Sequence, residues 1–197
     1  LNPAAENLEN LPKDYYTRQL AGATENFVDI MLKVKFIAKK DGKAVYPEFN
    51  QKIHVVDHTL LGDPNKALPL ICSSDNGRWS GWLLGQVDTF GRIVVFDEIL
   101  SEDINLTEFS RIIKAHIQQH YSSFKFATWI DHWAANQRGQ LSDMTMFKAY
   151  NNADLHPRIS NTRSPDTMVE AVKKKLGSIT LGQPDIIIST KCKNLIR

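Results

Sequence analysis

Two aspartates stand at the ends of apolar runs in this chain. Asp75 closes Pro69-Leu70-Ile71-Cys72-Ser73-Ser74 and is followed by Asn76-Gly77, and Asp131 closes Phe124–Ile130. Carboxylates at strand tips are hard oxygen donors of the kind Mg²⁺ and Mn²⁺ take. Two such ions, roughly 3.5–4 Å apart, can activate water and stabilise the leaving oxygen of a phosphodiester. Gly77 leaves room for a substrate backbone. Strand-end aspartates also serve as caps and turn formers, so spacing alone leaves both roles open.

The elements that must position this pair are legible as hydrophobic periodicity. Leu68–Ser73 is a continuous apolar run suited to a central strand; Trp82–Val87 and Arg92–Phe96 are two more, joined by the tight connection Asp88-Thr89-Phe90-Gly91, and should pair antiparallel. A helix follows, capped by Asn105 with Glu108 reaching back, its inner face carrying Leu106, Phe109, Ile112, Ile113, Ile117 and Tyr121. Phe124–Ile130 returns from that helix as a fourth strand, and a strand-helix-strand return implies a parallel pairing. Ser164-Pro165 opens another helix that Gly177 stops, and Pro184–Ser189 is a late buried strand. The outline is an α/β fold: a ribonuclease H-like mixed central sheet flanked by helices, in which the first and fourth strands lie side by side. Asp75 and Asp131 would then be neighbours, and their mutual repulsion is relieved by cations between them.

Ahead of that sheet, residues 1–52 read as an N-terminal arm with a β-hairpin around Lys40-Asp41-Gly42-Lys43, and residues 53–197 as the domain proper. The first residue, Leu1, suggests a processed chain or fragment. With 197 residues and 42% hydrophobic content there is enough for one sizeable core. No apolar stretch approaches the roughly 18 residues of a membrane span. Cys72 and Cys192 have no metal spacing and read as buried thiols in a reducing compartment. The net charge of +2 announces no nucleic-acid partner by itself, yet Lys33–Lys43 and the lysines from Lys173 onward are clustered, either as solvated faces or as phosphate contacts.

Several motifs together resemble the nuclease region of tailed-phage large terminase subunits. They are Ala5–Tyr16, Asp41–Asn50 with His54-Val55, Asp75-Asn76-Gly77, Gly85-Gln86-Val87, Gly91-Arg92, Asp97-Glu98, Asp131 and the neighbourhood of Cys192. The resemblance runs in order along nearly the whole chain, each motif being short. It implies a metal-dependent endonuclease of a viral genome-packaging motor that cuts concatemeric double-stranded DNA with two Mg²⁺ or Mn²⁺ ions held by Asp75 and Asp131. The implied partners are an ATPase domain upstream, a small terminase subunit and the portal, and the implied place is the host cytoplasm. No Gly-x-x-x-x-Gly-Lys-Ser/Thr is present, so no ATPase activity is expected from these residues.

The chain departs from that pattern in three places. Asn76 stands where the family often has an aromatic residue, and His132-Trp133 where it has proline and alanine. A further acid usually follows the late strand and its helix, and the sequence reaches Arg197 before it. Within the chain Asp143 is the first substitute for that ligand, although it also suits a helix cap; Glu98 and His132 rank below it, and Asp185, which begins its strand, is excluded. Lys39, Lys40, Lys43, Arg78, Arg138 and Arg163 are candidate DNA contacts. Trp79, Trp82, Trp129 and Trp133 surround both aspartates in sequence and suit core packing or stacking on a base. A missing third acid would equally fit a non-catalytic ribonuclease H-like module that docks DNA or the portal.

Overall fold

Alternation, rather than uniform apolarity, governs the strand that carries Asp75. In the computed structural model, which describes residues 44–136 and 144–197, that segment faces the core through Leu70, Cys72 and Ser74 and leaves Ser73 and Asp75 exposed on the other side. Helix α1 (Gln51–His54), strand β1 (Val55–Val56) and helix α2 (His58–Leu61) precede it. Strands β2 (Leu70–Asp75), β3 (Trp79–Val87) and β4 (Ile93–Glu102) lead into helix α3 (Leu106–His120). Strand β5 (Phe126–Ile130), helices α4 (His132–Asn136) and α5 (Met146–Asn152) and strand β6 (Pro157–Ile159) come next. Helix α6 (Pro165–Leu176), the small hairpin β7 (Ile179–Thr180) and β8 (Gln183–Pro184), strand β9 (Ile186–Ser189) and helix α7 (Lys193–Ile196) complete the chain.

Seven strands form one mixed sheet in the order β1-β9-β4-β3-β2-β5-β6. The two tight connections make β2–β3 and β3–β4 antiparallel, while β2–β5, β5–β6, β4–β9 and β1–β9 are parallel. This is the expected ribonuclease H-like arrangement, with the first and fourth long strands adjacent and parallel. The turn between β3 and β4 is fixed by Asp88, whose carboxylate accepts from the N–H groups of Phe90 and Arg92 and pairs with the Arg92 guanidinium at 2.6 Å. Gly91 takes φ 78° in that turn, a value that favours glycine.

The apolar cores sit on opposite sides of the sheet. One gathers Leu70, Cys72, Trp82 and Leu84 beneath Phe109, Ile113 and Ile117 of α3 and Tyr150 of α5. The other packs Ile186 and Ile188 against Leu176, with Phe49 and Ile196 at its edge. Asn105 caps α3 by accepting from the Glu108 N–H at 2.8 Å, but Glu108 returns to the Asn105 side-chain amide at 3.5 Å, not to its backbone. Ile112, expected inside, is exposed. Ser164 and Gly177 bound α6 as expected.

Residues 45–197 form one compact unit. Asn50 caps α1, and Phe49 stacks on His54 at 5.7 Å. Of the expected hairpin only Ala44–Tyr46 is described, and it is irregular. Cys72 and Cys192 are buried free thiols, pushed up to about 12 chiefly by burial. No helix among the described residues is long and apolar enough to cross a membrane.

Candidate active site

Parallel pairing of β2 with β5 brings the two aspartates together. Ser74 lies opposite Ile130 as the last pair in register, and Asp75 and Asp131 are the next residue of each chain. Both therefore leave adjacent parallel strands, which run ~4.8 Å apart, at the same end of the sheet. Ser74 and Ile130 are buried, so alternation turns Asp75 and Asp131 to the opposite face. Both line an open groove of about 530 Å³ together with Trp129, Glu98, Ser160 and Met168.

The two carboxylates are held differently. Asp75 is exposed, and its Oδ1 accepts from the Asn76 N–H at 2.8 Å. Asp131 is half-buried and caps α4: its Oδ2 accepts from the N–H groups of Trp133 at 2.8 Å and Ala134 at 3.2 Å. The capping role left open by sequence is thus realised at Asp131. Among the described residues these hydrogen bonds engage one oxygen of each acid, which suits a pair whose remaining oxygens can meet a cation. The donors are hard oxygens, the set that Mg²⁺ or Mn²⁺ takes along with water and phosphate. Among the described residues, however, no three His, Cys, Asp or Glu side chains come close enough to hold a metal ion together.

Glu98 shows why. It lies opposite Leu83, which lies opposite Ser73, so it shares the groove face of Asp75 but sits two strands away, about 10 Å laterally at ~4.8 Å per strand. Both its oxygens are also engaged: Oε1 accepts from the Asn194 backbone and side chain, at 2.6 and 3.0 Å, and Oε2 from the Leu195 N–H at 2.9 Å. It anchors α7. His132 does not line the groove; its ring meets Trp133 edge-on at 5.8 Å. Asp143, Arg138, Lys39, Lys40 and Lys43 lie outside the described residues, and the cap of α5 is Thr145, which accepts from the Lys148 N–H. Arg78 is 70% exposed but pairs with Glu102 at 3.1 Å and Asp103 at 3.7 Å. Arg163 is exposed just beyond Ser160, at the same sheet edge. Asp185 lies between β8 and β9 and pairs with Lys175 at 3.0 Å, away from the groove.

Several neighbours of the pair have no signature in sequence. The Ser74 hydroxyl donates to the Gly81 carbonyl at 2.6 Å, so the fully buried Tyr150 hydroxyl, 2.7 Å away, must donate to Ser74. This bond ties α5 to the strand residue beside Asp75. Burial pushes the Tyr150 hydroxyl well above its ordinary value, keeping it a neutral donor. The Arg158 guanidinium lies over the Trp129 ring, 5.5 Å from its centroid. Only its opposite strand register could have paired them, and register is not written in a single segment. A Cβ at Gly77 would meet nothing nearer than 4.0 Å, so protein packing does not demand glycine there.

A mixed sheet of this order, flanked by helices, is the ribonuclease H-like fold. Solved structures similar to this chain include large terminases. The chain superposes on the large terminase of the thermophilic bacteriophage D6E with a TM-score of 0.60 at 16% identity, over 95% of this chain and 43% of that one. It superposes on the large terminase nuclease of the thermophilic phage G20c at 0.53 and 8% identity, over 79% of this chain and 78% of that one. The P22 large terminase nuclease domain gives 0.53 at 7% identity, over 79% and 76% of the two chains. The G20c nuclease has also been solved with bound cobalt, and that form matches at 0.51. The chain thus spans less than half the length of the D6E protein but about three quarters of the isolated nuclease domains. No protein-family model and no curated protein matches its sequence.

Proposed function

We propose that this chain is the metal-dependent endonuclease domain of a viral genome-packaging motor, hydrolysing phosphodiester bonds of concatemeric double-stranded DNA. The observation that carries this reading is the adjacency of Asp75 and Asp131 at the ends of two parallel strands, on a fold shared with large terminase nuclease domains. Asp75 and Asp131 are the residues that would hold Mg²⁺ or Mn²⁺, and bound cobalt in the G20c nuclease supports a divalent ion. Such an ion supplies Lewis acidity at the phosphate and lowers the pKa of water. The chain itself contributes charge and placement: β2 and β5 fix the backbones of the pair, α4 orients the Asp131 carboxylate, and Tyr150 holds Ser74 in line with Asp75. Two carboxylates suit one ion completed by water and phosphate; a two-ion site requires a further acid, for which Asp143 is the first candidate in this sequence. By the same reading the domain works beside an ATPase domain, a small terminase subunit and the portal, in the host cytoplasm.

A second reading, a non-catalytic module that docks DNA or the portal, is favoured by the absence of three converging ligands among the described residues. Plasmid digestion separates the two. With Mn²⁺ or Mg²⁺ the parent chain should convert supercoiled plasmid to nicked and linear forms, and Asp75→Ala should leave it intact. Intact plasmid with the parent chain, or equal cutting by Asp75→Ala, rejects the nuclease assignment.

A further inference from the structure

The groove beside the acid pair is mostly apolar. Among the described residues, Leu83, Leu100, Met168 and Leu195 form its walls, with Trp129 among them, and the acids are Asp75, Asp131 and the already engaged Glu98. Two more indoles stand at its end of the sheet. Trp79 is 55% exposed and opens β3 two residues beyond Gly81, the partner of Asp75; by alternation it shares the face of Asp75. Trp133 is 62% exposed in the first turn of α4, its own N–H held by Asp131. Large exposed side chains of this kind mark interaction surfaces when they cluster.

Resting on the nuclease reading, we propose that the site engages unpaired nucleotides, with Trp79 and Trp133 stacking their bases on either side of the acid pair and the apolar groove receiving the strand. A nucleotide meets both demands of this surface: its phosphate complements a cation-loaded acid pair, and its base presents a flat apolar face. Arg158, over Trp129, and Arg163 beside Ser160 supply cationic partners for flanking phosphates. Intact duplex keeps its bases stacked and cannot offer them to indoles. Frayed, flipped or single-stranded DNA can, and the cost of unstacking falls when the bases are already unpaired.

The test is binding in Ca²⁺, chosen as a hard divalent probe ion, of a fluorescein-labelled single-stranded oligonucleotide and of the blunt duplex of the same sequence. The parent should bind the single strand about tenfold or more tighter and show indole quenching on binding. Trp79→Ala and Trp133→Ala should each weaken single-strand binding by roughly 5- to 150-fold, the factor that corresponds to ~1–3 kcal/mol per stacked base, while duplex binding is unchanged. Equal or tighter binding of duplex, or unaltered single-strand binding by both variants, overturns the proposal. Plasmid nicking distinguishes the two failures: a parent that nicks without preferring single strands rejects this inference alone, and a parent that nicks nothing rejects the nuclease reading beneath it.

Discussion

At Asp131 one carboxylate serves both as the cap of α4 and as half of the proposed metal pair. Asparagine caps a helix about as well as aspartate, whereas alanine costs about 0.5–2 kcal/mol. Asp131→Asn is therefore expected to melt within the ~2–4 °C that 1 kcal/mol is worth in a chain of this size, and Asp131→Ala to melt lower. Both should lose more nicking than the roughly 10–100-fold that removal of a mere outer-shell partner costs. Thermal denaturation paired with plasmid digestion checks this, and a fully active Asp131→Asn would leave the residue only its capping role. The strand-end placement of Asp75 and Asp131 was legible in sequence because each interrupts an apolar run. Tyr150 and Arg158 were not, since each reaches the site across a distance in sequence that periodicity does not encode.

Among the elements, β3 and β4 show where local reading stops. Their apolar runs marked only Trp82–Val87 and Arg92–Phe96, yet the strands continue to Trp79 and Glu102. Asp97, Glu98, Ser101 and Glu102 look like a strand's end by polarity, but cross-strand pairing carries the ladder through them. The hairpin followed from turn chemistry; the connecting helix implied only a parallel pairing, and the adjacency of β2 with β5 followed from the ribonuclease H-like outline. The irregularity between Leu84 and Gly85 did not, although it fixes one residue type: a Cβ on Gly85 would come within 2.6 Å of the Val94 carbonyl oxygen. Backbone cannot retreat as a flexible side chain can. Gly85→Ala is expected to destabilise the domain by about 1–3 kcal/mol, read as a lowered urea midpoint, and an unchanged midpoint would show that the bulge relaxes without cost.

For the whole molecule, acid stability depends on depressed carboxylates far from the site. Partial burial pushes Asp88 up, but the backbone and guanidinium N–H groups of Arg92, with the Phe90 N–H, outweigh it and hold Asp88 below the usual carboxylate range. Asp185 is lowered by the Thr180 hydroxyl and then by Lys175. Each binds its proton less readily folded than unfolded, so stability rises with pH. Their contribution is present above the unfolded value of about 3.9 and is lost as pH falls through the lower folded value. Melting temperature should accordingly decline below about pH 4, and Asp185→Asn should flatten part of that decline; an identical acid limb in the variant would remove Asp185 from the account. The proposed metal pair is formed by the other two aspartates, Asp75 and Asp131, and an anomalous difference map from crystals soaked in Mn²⁺ reads it without recourse to activity. A peak beside Asp75 and Asp131 that disappears in Asp75→Asn is expected; no peak there in the parent protein, or one that survives the substitution, would overturn the metal assignment.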